Sequence, residues 1–494
     1  MQADSNFSKG GPRTGKQKSP FGGQFQAFLP ENDRHSLSFE FCAIPWATLL
    51  PRHRAVVGPR CSPKPFVQGV RPRRAVNYHA CMPLPDASSP QTYRPLNAAA
   101  TAFTDALSFS PTAETVGNLT VGRGALDGRD CLVALVESRT ASGAVGRVEC
   151  DRLASVFKVA AAKSMPLALY LDSAGARVSE GLPALGAFRA MFTAAARAKL
   201  QGCPMMAVLG TYCFGGASML AALCDTRVFQ ASTRLAMSGP SILAAAAGMS
   251  ALDDMFRAIA EVSIGAAART KLDPSNTDQM PATWAQPSLP RERMDMLAAR
   301  LSAAKLAARG DNASVTRRDL ALLYPNGVDV REVDGLLVGK AAAQEDSDGE
   351  ITILGSVDKR PMGAARVQGM LNALQSVNTP RLHVLMDCDA HSGAVDDEKV
   401  MLSSYLAELT LSLLACRARG VEIEVIVLGK LGGGIYLALA AGCTKLSLLY
   451  GAEIQLLPGK AIAAILGEAN DTRYAFEDYR MAGVADAERK IGLV

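Results

Sequence analysis

The sequence predicts an α/β fold built twice, two layered α/β domains in tandem behind a largely irregular, basic N-terminal extension. Three observations predict it. Helix-patterned and strand-patterned segments alternate from about residue 117 onward. Two Gly-Gly turns, at Gly215 and Gly433, precede Pro240 and Pro458 by the same 25 residues. Charge is also unevenly distributed along the 494 residues: twelve Lys and Arg against four Asp and Glu fall in residues 1–75, so the rest of the chain is slightly acidic. A chain this long, 49% hydrophobic and 20% charged, has material for two cores.

Residues 1–88 carry scattered Pro and Arg with little periodicity and read as a disordered or loosely ordered extension, with Ser38–Leu50 able to dock. The near-neutral remainder argues against a nucleic-acid surface. Eleven scattered cysteines without a C-x-x-C pair exclude a zinc ribbon and fit reduced thiols in a cytoplasmic protein. No histidine lies between His79 and His383, which removes histidine triads and histidine-ligated metals from the first half. Gly202–Cys224 is uncharged and long enough to span a bilayer, but its Pro204, Thr211 and paired glycines fit a strand, a turn and a short helix better than a membrane span.

The first domain is expected over 89–285. Leu119–Val121 and Cys131–Val136 form a hairpin turning on Asp127-Gly128. A helix over Cys150–Lys163, a strand over Leu167–Leu171 ending in Asp172, and a helix over Pro183–Lys199 follow. The strand Met205–Leu209, the helix Gly216–Leu223 and the strand Thr226–Gln230 complete the unit. Residues 286–334 read as a helical linker around Met294–Ala308. The second domain, 335–494, repeats the order: helix Arg366–Gln375, strand Leu382–Met386 ending in Asp387, one long helix Lys399–Arg417, and strand Ile423–Leu428. The Gly-rich turn Gly429–Gly434, a short apolar helix and the strand Lys445–Leu449 close it. Asp172 lies 43 residues before Gly215 and Asp387 lies 46 before Gly433, as an internal duplication requires.

Glycine has no Cβ, so N–H groups at such turns can approach a ligand oxygen, and the helix that follows presents orphan donors and a partial positive charge. That suits a thioester carbonyl becoming an enolate, where one donor is worth about 3–4 kcal/mol in the transition state. The same glycines would also serve close helix–strand packing.

The stretch Leu171-Asp172-Ser173-Ala174-Gly175-Ala176-Arg177-Val178-Ser179-Glu180-Gly181 resembles the D-S-G-G-A-R-x-x-E-G turn of biotin-dependent carboxyltransferases, as do Cys213–Ser218 and Leu235–Pro240. Gly429–Tyr436 is similar to that family's R-K-A-x-G-G-A-Y turn. Asp387–Leu406 and Pro458-Gly459-Lys460-Ala461 look like the γ subunit of malonate decarboxylases, and the first half looks like their β subunit, as if fused. The resemblance, over roughly 95–270 and 335–494, implies two tandem crotonase-like (ClpP/crotonase) domains.

It further implies two oxyanion pairs, Gly215 with Gly216 and Gly434 with Ile435. Ser173, Ala174, Gly175, Ala176 and Arg177 would lie along the carrier's pantetheine or nucleotide, with Gly433, Lys430 and Lys460 flanking the second site. His391, Tyr436 and Ser392, or a bound water, are candidate proton donors, and Glu180 is either an acid–base group or a cap to the helix near Pro183. The expected reaction is decarboxylation of a malonyl thioester on an acyl-carrier protein. Acyl-carrier transferase subunits are the expected partners, in a homo- or hetero-oligomer. No metal is expected, and no cofactor in this chain beyond the carrier's phosphopantetheine-type thioester. A biotin-dependent carboxyltransferase, with biotin arriving on another protein because A-M-K-M is absent, is the alternative reading. A non-catalytic crotonase-like scaffold is the other. Ala174 for the family's first glycine, Gly429 for its arginine, and Asp387–Ser392 for its P-G-F segment lean away from biotin.

Overall fold

The computed structural model describes residues 93–249, 251–306, 317–343, 349–457, 461–462 and 473–489. The predicted extension over 1–88, including Ser38–Leu50, falls outside them, as do Pro458 and Lys460. All the described residues lie in one compact unit, Asp86–Val494.

Its first half runs α1 (Ala98–Ala106), β1 (Ser110–Pro111), β2 (Leu119–Leu126), β3 (Arg129–Val136), α2 (Arg147–Lys163), β4 (Leu167–Ser173), α3 (Leu182–Leu200), β5 (Met205–Phe214), α4 (Gly216–Leu223), β6 (Thr226–Phe229), β7 (Arg234–Ala236), α5 (Pro240–Ala246), α6 (Asp254–Ile264), α7 (Ala266–Leu272) and β8 (Asn276–Thr277). After α8 (Pro290–Ala304) and α9 (Arg317–Leu323), the second half runs β9 (Val328–Val333), β10 (Leu336–Ala342), β11 (Glu350–Lys359), α10 (Ala364–Gln375), β12 (Arg381–Cys388), α11 (Val395–Lys399), α12 (Leu402–Ala418), β13 (Glu422–Val427), β14 (Lys430–Gly432), α13 (Gly433–Gly442), β15 (Lys445–Leu449), β16 (Glu453–Gln455), α14 (Phe476–Met481) and β17 (Ala487–Arg489).

The two sheets share a strand order. One follows the order β1-β2-β3-β4-β5-β6-β8, the other β9-β10-β11-β12-β13-β15-β17. Each begins with two antiparallel pairs and continues parallel; a tight left-handed turn joins β2 to β3 at Asp127-Gly128 and, one strand earlier in the order, β9 to β10 at Asp334-Gly335. Side pairs match too: the end of β5 pairs with β7 as β14 pairs with β16.

Between the sheets, α3, α4, α12 and α13 pack on one another in one hydrophobic core that draws on both halves, with Phe188, Leu220, Leu406 and Leu439 among its members. Every residue of α13 is buried, as a helix apolar on all faces must be. Burial of one such leucine contributes about 1.5–3 kcal/mol.

Two expectations change. The predicted long helix over 399–417 is α12, but it starts at Leu402 because Met401 is left-handed at φ 63°, and the short α11 precedes it. The linker limit at 334 cuts the β9–β10 hairpin, so the second sheet begins at Val328; short strands rich in charge at 328–333 masked it in the sequence. The uncharged Gly202–Cys224 is, as expected, a strand, a turn and a short helix, β5 and α4, and among the described residues no helix is long and apolar enough to cross a membrane.

Candidate functional site

At the C-terminal ends of the parallel strands two turns of the first half meet. Gly215 ends β5 at φ 57°, ψ −133°, a conformation only glycine adopts freely. Opposite it runs Ala174–Ala176: a Cβ on Gly175 would stand 2.9 Å from the Phe214 carbonyl oxygen and 3.4 Å from the Gly215 Cα. The turn at 173–177 is held from behind. Ser173 Oγ donates to the Gly143 carbonyl at 2.7 Å and accepts from the Gly175 N–H at 3.1 Å, and the Ala174 N–H donates to Ser142 O at 2.9 Å. Ala141, Ser142 and Gly143, which lie behind it, are all left-handed, with φ of 46°, 53° and 72°.

Donors at this site are narrower than the sequence suggested. The Gly215 N–H is engaged by the Met237 carbonyl at 3.2 Å, so Gly215 shapes the turn rather than donating from it. Gly216 and Ala217 open α4, and their N–H groups have no intrahelical acceptor. The bridge of Val145 to Gly175 O and Arg177 N turns the Ala176 N–H away from Val145.

Hydrogen bonds fix the equivalent residues of the second half. Met362 binds Ala390 O and Ser392 N as Val145 binds Gly175 O and Arg177 N. Asp387 Oδ1 accepts from Lys430 N at 3.0 Å, as Asp172 Oδ1 does from Tyr212 N. Gly433, at φ 59°, donates to Leu456 O at 3.1 Å, as Gly215 does to Met237 O. Gly433 and Gly434 therefore match Gly215 and Gly216, and Ile435 matches Ala217. The pairing of Gly434 with Ile435 is one residue out of step with that of Gly215 with Gly216.

The two turns differ at one decisive place. His391 stands where the first half has Ala176, and its Nδ1 accepts the Gly434 N–H at 2.9 Å. An amide can only donate, so Nδ1 carries the lone pair and the Nε2 proton faces Ser238 Oγ at 3.2 Å. Complete burial lowers the imidazole to about 4, so it is neutral near pH 7. A neutral ring with both nitrogens engaged is not the proton donor the sequence suggested.

Other predicted residues fall into place in the same way. Arg177 is held by Glu149 and, at 2.6 Å, by Glu180, which leaves little charge for a nucleotide. Glu180 does cap a helix, but it is α2, through the Arg147 N–H at 2.8 Å, rather than α3. Tyr436 is fully buried and donates to the Val484 carbonyl at 3.0 Å, so it is a core residue. Ser392 accepts from the Ala394 N–H at 3.1 Å. Ile435 is buried, and Lys430 is exposed on the rim of a cavity of about 980 Å³. That cavity lies over the second turn, bounded by Val178 and Leu182 of the first half, with Lys359, Lys430 and Arg473 facing Asp387, Asp389 and Glu453.

Sequence reasoning missed Glu398, Arg269 and Ser238. The Glu398 carboxylate accepts the Met237 and Ser238 N–H groups at 3.2 and 2.9 Å, and Arg269 approaches it at 3.4 Å, all three side chains being buried. They are separated by up to 160 residues, and no motif spans them. Among the described residues no group of His, Cys, Asp and Glu could hold a metal ion, and the eight cysteines there are all buried.

Curated relatives match only part of the chain. The methylmalonyl-CoA carboxyltransferase 12S subunit of Propionibacterium freudenreichii subsp. shermanii is 29% identical over 128 residues, 26% of this chain and 24% of that one. The acetyl-coenzyme A carboxylase carboxyl transferase subunit beta 1 of Roseiflexus castenholzii is 30% identical over 126 residues, 25% of this chain and 42% of that one. The chain thus spans less than half the length of either. Among solved structures, a chain of a Pseudomonas malonate decarboxylase hetero-tetramer in complex with malonate is 26% identical over 32% of this chain and 60% of its own, at a TM-score of 0.30. Residues 88–256, which contain both the 173–177 turn and the turn at Gly215, match the family of carboxyl transferase domains.

Proposed function

We propose that the first-half turn binds an acyl thioester and that the chain decarboxylates a malonyl thioester carried by an acyl-carrier protein. On this reading the chain is a fused counterpart of the malonate decarboxylase β and γ subunits, working in an oligomer with carrier and acyl-carrier transferase subunits. The observation that supports it is the difference between the turns: the Gly216 N–H begins a helix without an intrahelical acceptor, whereas the Gly434 N–H is stoppered by His391.

Decarboxylation needs one oxyanion hole. The thioester oxygen would accept from the N–H groups at Gly216 and Ala217, with Ala176 N–H as the further donor. The bond between the methylene carbon and the carboxylate breaks, its electron pair moves onto that oxygen, and CO2 leaves. The enolate is then protonated at carbon, by a bound water, since His391 and Tyr436 are engaged elsewhere. Carboxyl transfer from biotin would need a second hole for the ureido oxygen, and the His391 imidazole fits poorly with one at Gly434.

Malonyl-CoA or malonyl-carrier is incubated with the purified chain, without ATP or biotin, and CO2 is measured with and without avidin. Release indifferent to avidin is expected. Avidin-sensitive release would return the reading to a biotin-dependent carboxyltransferase, and inactivity with stable binding to carrier subunits would favour a scaffold.

A further inference from the structure

We infer that His391 is a positioning residue, the strut through which the second half sets the oxyanion turn of the first. The inference rests on the reading of that turn as the site. The imidazole spans from Gly434 N–H (2.9 Å) to Ser238 Oγ (3.2 Å), and both it and Ser238 are buried. Ser238 follows Met237, whose carbonyl holds the Gly215 N–H at 3.2 Å. Met237 itself fills the space left by the missing side chain of Gly434, where a Cβ would come within 2.8 Å of its sulfur.

The dipeptide Met237-Ser238 is therefore fixed from three sides, two of them by the second half. Glu398 takes both backbone N–H groups, and Arg269 ties Glu398 to the Leu235 carbonyl, with its own Nε at 2.9 Å. His391 supplies the lateral support. It does so because the second copy of the turn has given up its donor: the position that is a methyl group in Ala176 has become an imidazole reaching across to the first copy. A Met237 carbonyl that moved would release Gly215, and the Gly216 N–H would move with it. A displacement of about 1 Å in a catalytic group can cost roughly 100-fold in rate.

The test uses the full chain and the variants His391→Leu, His391→Asn, Ser238→Ala and the Ser238→Ala/His391→Leu pair. Two readouts are taken. Hydrogen exchange followed by peptide mass spectrometry reports the segment 211–219 whether or not any thioester is turned over. Faster exchange confined to that segment is expected in each single variant, with no further gain in the double variant, because both remove one strut. An unchanged segment, or a rise spread evenly over both sheets, would overturn the inference.

Steady-state turnover of the malonyl thioester then reports function. kcat should fall about 100-fold in His391→Leu and Ser238→Ala with KM unchanged. His391→Asn keeps an acceptor near Gly434 but does not reach Ser238, so it should behave like His391→Leu. Wild-type kcat in His391→Asn would mean that the ring only fills the second turn. Inactivity of the wild-type chain would sink the proposed reaction, and the exchange data would still decide the strut.

Discussion

Single residues set what the two turns can do. Gly215 is needed for its left-handed backbone, and there is room for a side chain, whose Cβ would stand 3.7 Å from Gly175 Cα. Gly215→Val should therefore fold yet lose about 100–1000-fold in CO2 release, because a β-branched residue at φ 57° reshapes the turn and moves the donors after it. Normal turnover in that variant would make the turn structural only. His391 gives a pH signature. Its imidazole titrates near 6.5 in an unfolded chain and near 4 in the fold, so between those values only the unfolded chain binds the proton. Stability contributed by the neutral ring is complete above pH 6.5 and is lost as pH falls toward 4, by about 3 kcal/mol in all. His391→Gln should lose less stability than wild type between pH 7.5 and 4.5 in urea titrations; equal losses would count against the assignment. His383, also lowered to about 4 by burial, acts in the same direction and remains in the variant as background.

At the scale of elements, the period of the sequence was legible where strands are buried on both faces and helices are amphipathic. The helix Gly216–Leu223 and the strand Lys445–Leu449 have the bounds that pattern gives them. It placed the start of α12 three residues early, since nothing local in Met401 announces a left-handed conformation. It failed again at β9, where burial alternates weakly and the strand is held by its partner rather than by its own apolar face. Helix ends offer a clean check. Ser164 closes α2 at φ 50° and is exposed, so the side chain costs backbone energy without packing in return. Ser164→Gly should raise the free energy of unfolding by about 1 kcal/mol. No change in the urea midpoint would show that the cap is already relaxed.

Over the whole described unit, the halves are joined by buried charge as well as by the shared core. Arg269 and Glu398 are fully buried and come from opposite halves, and Arg293 of the intervening α8 reaches Glu408 of the second half at 2.7 Å. Arg269→Leu should destabilise the fold by about 3–5 kcal/mol, because Glu398 would be left without its cation. The loss should be largely recovered in Arg269→Leu/Glu398→Gln, measured by the same urea titrations; a double variant as weak as the single one would refute the pairing as the cause. The two halves should also unfold in one transition, with Trp284 fluorescence and far-UV circular dichroism coincident, since one core draws on both sheets. Separate transitions would show two independent domains.

The sequence alone determined the α/β alternation and the two Gly-Gly turns, because strand burial, helix amphipathicity and glycine backbone freedom are local properties with a fixed period or position. Only the tertiary structure decided which N–H groups of each turn are engaged. Gly215 and Gly434 read as donors until their N–H groups are seen on Met237 and on His391, and the register between the copies rests on hydrogen bonds rather than on spacing. His391, Ser238, Glu398 and Arg269 are far apart in the chain and carry no shared motif. Their meeting is a product of the fold, since a buried imidazole or carboxylate must find its partners wherever packing of the two halves brings them.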